Sequence, residues 1–164
     1  VTEANDSQLS AGIGATGDAA IAAGATGSLN AKIRLLTGLA NDPCAVGVKT
    51  HISFSISTAT TTELTPSLAG SSTNWYVCAL NIITAAANNV ALVDDNTDGC
   101  GSPTAGLAGG VTAATGWNFA ANGGIVAGNG GNTVFKSVTS NSVLCLMTSA
   151  ATQLSGSIQV VAAP

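Results

Sequence analysis

With 164 residues, the chain is long enough for one domain with a sizeable core plus a tail. Only 7% of its residues are charged and the formal net charge is -4, against a charged share of roughly 25% in an average soluble domain. The basic residues Lys32, Arg34, Lys49 and Lys136 are scattered and form no stripe for phosphates, which excludes a nucleic-acid binder.

The longest near-apolar stretch, Ala79–Val93, is interrupted by Asn81, Thr84, Asn88 and Asn89. It falls short of the roughly 20 apolar residues that a spanning helix needs, so no membrane is expected. Apolar residues make up 46% of the chain, much of it alanine, and aromatics only 4%. Gly, Ala, Ser, Thr and Asn stand where Lys and Glu usually cover a surface. Such a chain suits a close-fitting structural part better than an enzyme.

Residues Val1–Gly27 carry almost no bulky side chain, and the triplet Gly-Ala-Thr occurs at Gly14–Thr16 and again at Gly24–Thr26. A segment this poor in large apolar groups cannot offset its ordering entropy alone, so it reads as an arm that is flexible or ordered by a partner. No charged-then-apolar leader opens the stretch, no signal peptide is expected, and the sequon Asn5-Asp6-Ser7 is given no weight. Residues 28–41 then read as a short amphipathic helix. Ser28 is its N-cap, Leu29, Ile33, Leu36 and Leu39 form its apolar stripe, and Asn41-Asp42-Pro43 ends it. That stripe must dock on its own domain, on other copies, or on another protein. Its four apolar residues are the candidate assembly and docking residues.

From Val46 the period changes to two, and residues 44–164 read as a β-sandwich domain. Val48, Thr50, Ile52, Phe54 and Ile56 alternate with Lys49, His51, Ser53, Ser55 and Ser57, the pattern of a half-buried strand that runs on towards Thr60–Thr62. Trp75–Thr84 is apolar on both faces, which predicts a central, two-sided strand. Val90–Val93 is a short strand feeding an acidic turn, Asp94–Gly99. Gly116–Ala121 and Gly123–Ala127 are further brief strands. Three strands close the chain: Thr133–Val138, Val143–Thr148 and Ser157–Ala162, separated by Ser140-Asn141 and Ser155-Gly156. The expected fold is mainly β, an antiparallel β-sandwich of jelly-roll type with about eight strands, preceded by the arm and one short helix.

Cysteines stand at Cys44, Cys78, Cys100 and Cys145. None forms a C-x-x-C pair and the single His51 cannot complete a Cys/His set, so no metal site is expected. An even count in a β-rich chain points to two disulfides, with three possible connectivities; the favoured one joins neighbours in order, Cys44–Cys78 and Cys100–Cys145. The competing reading is four buried thiols. Asp94-Asp95-Asn96-Thr97-Asp98-Gly99 matches the first half of a calcium loop, but the position that should hold a bidentate Glu is Ala105, so it reads as an acidic turn. No nucleophile elbow, P-loop or dinucleotide fingerprint is present, and no cofactor is expected. His51 falls on the polar side of its strand without a base–orienter partner. Paired carboxylates could come only from Glu63 and the Asp94–Asp98 cluster, and an aromatic platform for a glycan only from Trp75, Tyr76 and Trp117.

GDAAIAAGATGSLNAKIRLLTGLA (residues 17–40) resembles the small-residue lead-in and "AK-hydrophobic-R-x-L" helix of tailed-bacteriophage virion proteins. The later order of STATTTEL, WYVC, GCG, ANGG with its glycine run, TVFK and SVLCLMTSAATQLSGSIQV is similar to their small surface domains. The longer acidic stretch Asp94–Ala105 departs from that pattern. The resemblance implies a non-enzymatic capsid decoration (cement) protein or head fibre on the virion surface. Such proteins often trimerise, so the resemblance implies a homotrimer whose partners are the major capsid protein or other virion proteins. It brings no catalytic residue. The alternative within the same group is a receptor- or glycan-binding module of a head or tail fibre.

Overall fold

A computed structural model of the chain describes residues 42–68, 72–96 and 99–164. The arm of residues 1–27 and the helix of residues 28–41, with Leu29, Ile33, Leu36 and Leu39, lie outside the described residues. Among the described residues a single helical turn, α1 (Pro43–Val46), comes first, and ten strands follow. The first five are β1 (Thr50–Ile56), β2 (Thr61–Glu63), β3 (Asn74–Thr84), β4 (Asn88–Asp95) and β5 (Pro103–Ala108). After a 3-10 turn at Ala113–Thr115 come β6 (Trp117–Phe119), β7 (Gly124–Ala127), β8 (Phe135–Lys136), β9 (Val143–Thr148) and β10 (Leu154–Ala163).

They form two antiparallel five-stranded sheets. The first runs β1-β10-β3-β7, with β8 also on β3; the second runs β2-β9-β4-β5, with β6 also on β4. β7 and β8 share one side of β3 end to end, pairing with Leu80–Ile83 and with Tyr76–Val77 respectively. In the same way β5 and β6 share one side of β4. With each of those pairs taken as one strand, every sheet has four, and the chain crosses between sheets in the order of a jelly roll. The fold class read from the sequence is the fold observed, with Pro43–Pro164 as its compact unit.

The core lies between the sheets. Val77, Leu80, Ile82, Ile158 and Val160 from the first meet Val90, Leu92, Leu144 and Leu146 from the second, all essentially without exposed surface. β3 departs from the expected two-sided strand. Gln159 pairs with Ala79 but Val160 with Val77, so Cys78 is an extra residue and the register slips by one. A one-residue slip exchanges the faces of a strand. Trp75 and Val77 therefore point inward before the bulge, and Leu80 and Ile82 after it. Only Trp75–Cys78 is buried on both faces; beyond it Asn81 and Ile83 are exposed.

Several boundaries move. Thr133–Val138 contracts to the two residues of β8, because Val134 and Ser137 give their N–H groups to Val77 and Trp75 as single contacts beside the bulged strand. β10 begins at Leu154, so Ser155 and Gly156, read as a turn, lie within it. Gly156 is required there: a Cβ would stand 2.1 Å from the Asn81 carbonyl oxygen and 2.7 Å from the Phe54 ring. β4 continues through Asp94 and Asp95, which were expected in a turn. β5 was not expected at all; its Pro, Ala and Gly carry no strand signal, and β4 imposes the pairing across two register breaks.

Candidate functional site

Each sheet has its outer face pinned by one disulfide. Cys44–Cys78 ties α1 to the bulge of β3, with Tyr76 and Val161 packed beside it. Gly47 allows that close approach, since a Cβ there would meet the Pro43 oxygen at 2.5 Å and Val161 Cγ1 at 2.6 Å. Cys100–Cys145 ties the loop after β4 to β9, over Ala91, Val93 and Val143. The connectivity joins neighbours in order, and no free cysteine is found among the described residues.

The buried polar side chains serve as clamps at the two ends of β4. At its start, Asn88 Nδ2 donates to the Ala150 carbonyl and Thr152 Oγ1, while its Oδ1 accepts from the N–H groups of Ser149 and Ala150. At its end, Asp94 Oδ2 accepts from the Val138 N–H (2.7 Å), the Thr139 N–H (2.9 Å) and the Thr139 hydroxyl (3.1 Å). The two clamps thus hold the loops on either side of β9. Asp94 is fully buried and its Oδ1 has no hydrogen-bond partner. Asp95, on the opposite face of β4, accepts from the Ser102 N–H at 2.7 Å. Ser137 extends the first loop's network: its hydroxyl accepts from the Trp75 N–H and donates to the Thr139 carbonyl.

The half-match to a calcium loop, read from the sequence as an acidic turn, does not come together at its first positions, and Asp94 and Asp95 belong to β4 instead of a turn. Asp94 is directed towards the core and Asp95 away from it; Thr97 and Asp98 lie outside the described residues. No group of three or more metal-ligating side chains occurs among the described residues. Glu63 is exposed and accepts from the Gly99 N–H at 2.9 Å. It lies on β2 at the sandwich edge, whereas both aspartates are enclosed. His51 is exposed on β1, opposite Gln159 of β10.

The three aromatic candidates are also committed to the fold. Trp75 is buried and donates its Nε1–H to the Ser142 carbonyl at 3.0 Å. Tyr76 is buried against the Cys44–Cys78 bridge, gives its hydroxyl proton to the Pro164 carbonyl, and has the Lys136 ammonium 5.0 Å from its ring centre. Trp117 is half-buried, stacked on Phe119 at 6.1 Å and tilted against Phe135 at 6.3 Å. The arrangement builds rigidity: disulfides on both outer faces and hydrogen-bonded loops between them. The clamps Asn88, Ser137 and Thr65, whose hydroxyl accepts from the Leu144 N–H, had no mark in the sequence to separate them from the many other small polar residues.

No family model, no curated protein and no solved structure matches this chain. The class is set by the fold alone: a jelly roll with a disulfide on each outer face.

Proposed function

We propose that the chain is a non-enzymatic structural protein of a tailed-phage virion, a decoration or cement component seated on the capsid exterior against the major capsid protein or other virion proteins. One observation carries the reading: most of the described side chains able to do chemistry are spent on holding the fold. Asp94 and Asp95 clamp loops, all four described cysteines are bonded, and Trp75 and Tyr76 hydrogen-bond to main-chain carbonyls. A particle exposed outside the cell benefits from such a domain, since disulfides persist in oxidising surroundings. The sequence before Pro43 carries part of the resemblance to virion proteins, and Leu29, Ile33, Leu36 and Leu39 within it are the residues proposed for docking. The jelly roll by itself hosts many functions and is not the argument.

Immunogold labelling of particles released by lysis of cells that carry this gene tests the reading. Gold over the head surface is the expected result. Gold confined to tail or fibre tips transfers the chain to receptor binding. Antigen that stays soluble while particles remain unlabelled refutes a virion role.

A further inference from the structure

Exposed sheet edges invite pairing, and folded proteins blunt them with short strands, prolines, bulges or charges. Most edges here are blunted. β2 and β6 have three residues each, β7 four and β8 two. β5 opens with Pro103 and breaks register twice against β4. β1 is the exception. It has seven residues, pairs with β10 in unbroken register, and lies at the end of its sheet with no described strand beyond it. Between Thr50 and Ile56 there is no Pro, no Gly and no Asp, Glu, Lys or Arg.

The direction of its free hydrogen-bonding groups follows from β10. Ser157, opposite Ser53, gives its N–H to Asn81 Oδ1 on the β3 side at 2.7 Å. The Ser53–Ser157 pair therefore exchanges no main-chain hydrogen bonds, and Ser53 turns its own N–H and C=O to the open edge. By alternation His51 and Ser55 do the same. All three are exposed. On the core-facing side the row is apolar but incompletely covered: Ile52 and Phe54 are only half-buried, and Val48, two residues before the strand, is 93% exposed.

We propose that β1 pairs antiparallel with β1 of a second copy about a two-fold axis at Ser53, joining two first sheets into one continuous sheet. Full overlap of the seven residues places Ser53 against Ser53, His51 against Ser55, Ile52 against Phe54 and Thr50 against Ile56. Each free N–H and C=O of the edge then meets its complement. The polar residues share the outer face, Ile52 and Phe54 extend the core across the junction, and Lys49 falls opposite Ser57, so no like charges meet. Such a contact is isologous and closes on itself. A second β1 is the occupant because it matches this edge in length, in side-chain alternation and in neutrality, and every solution of the protein contains it. The pairing holds whether or not the chain sits on a capsid.

Cysteine scanning of the full chain under mild oxidation tests it, with solution mass by light scattering alongside. Ser53→Cys puts two thiols at a hydrogen-bonded pair with Cα atoms about 5.5 Å apart, inside the disulfide range, so a covalent dimer is expected. Ser55→Cys places its two copies four residues out of register, about 13 Å apart, and stays uncross-linked. Ser53→Pro removes an edge-facing N–H without touching the β10 ladder and converts dimer to monomer with the far-ultraviolet spectrum unchanged. A wild-type monomer at high concentration overturns the pairing. So does equal cross-linking at both positions, or a dimer or trimer whose mass is unaffected by Ser53→Pro.

Discussion

Removing the Asp94 carboxylate is the sharpest probe of how this jelly roll holds its loops. In Asp94→Ala the N–H groups of Val138 and Thr139 and the Thr139 hydroxyl lose their shared acceptor, now 2.7, 2.9 and 3.1 Å away. A hydrogen bond to a charged group contributes about 1.5–3 kcal/mol. The hydroxyl can turn to water, and relief from burying a carboxylate offsets part of the rest. The expected net loss is about 3 kcal/mol, or roughly 10 °C in Tm for a domain of this size. Asp94→Asn keeps one acceptor oxygen but loses the charge and sets an amide donor where Oδ1 has no partner; about half the loss is expected there. Urea unfolding under non-reducing conditions measures both, and hydrogen exchange at Val138 and Thr139 locates the effect. A change below about 0.5 kcal/mol in Asp94→Ala, with those amides still protected, would refute the clamp.

The remaining predictions concern the bridges, the core and metal. Replacing Cys100 and Cys145 together by Ala reopens a loop of sequence separation 45, for which chain entropy gives about 4 kcal/mol; the same exchange at Cys44 and Cys78 costs nearly as much, and denaturation midpoints check both. Trp75→Phe removes the donor to the Ser142 carbonyl and leaves a smaller ring in the core. A loss of about 2 kcal/mol is expected by urea titration. Millimolar calcium should leave Tm within about 1 °C, because a ligand of the native state raises stability only if it binds; a larger rise in a thermal melt would show that the stretch after Asp95 holds the ion.

The sequence alone made legible the elements that carry a short-range pattern of their own. β1 was legible because Ile52, Phe54 and Ile56 recur every second residue, and β9 because its short apolar run is bounded by turn residues. The number and spacing of the cysteines made two bridges the natural reading, and the closing strands with their Ser- and Asn-rich turns gave the sandwich. Tertiary structure decided what depends on a neighbour. The bulge at Cys78 exchanges the faces of β3, and nothing in WYVCALNIIT marks which residue is the extra one. β5 exists because β4 offers it a ladder, though Pro103, Gly106 and the alanines have little strand preference of their own. Asp94 and Asp95 look like turn residues by type, yet the strand buries them on its two opposite faces, where loop amides and a hydroxyl are there to receive each carboxylate. Local pattern reports which face a residue prefers. Only the folded chain decides which polar groups meet, since those partners are separated by as many as 98 residues along the sequence.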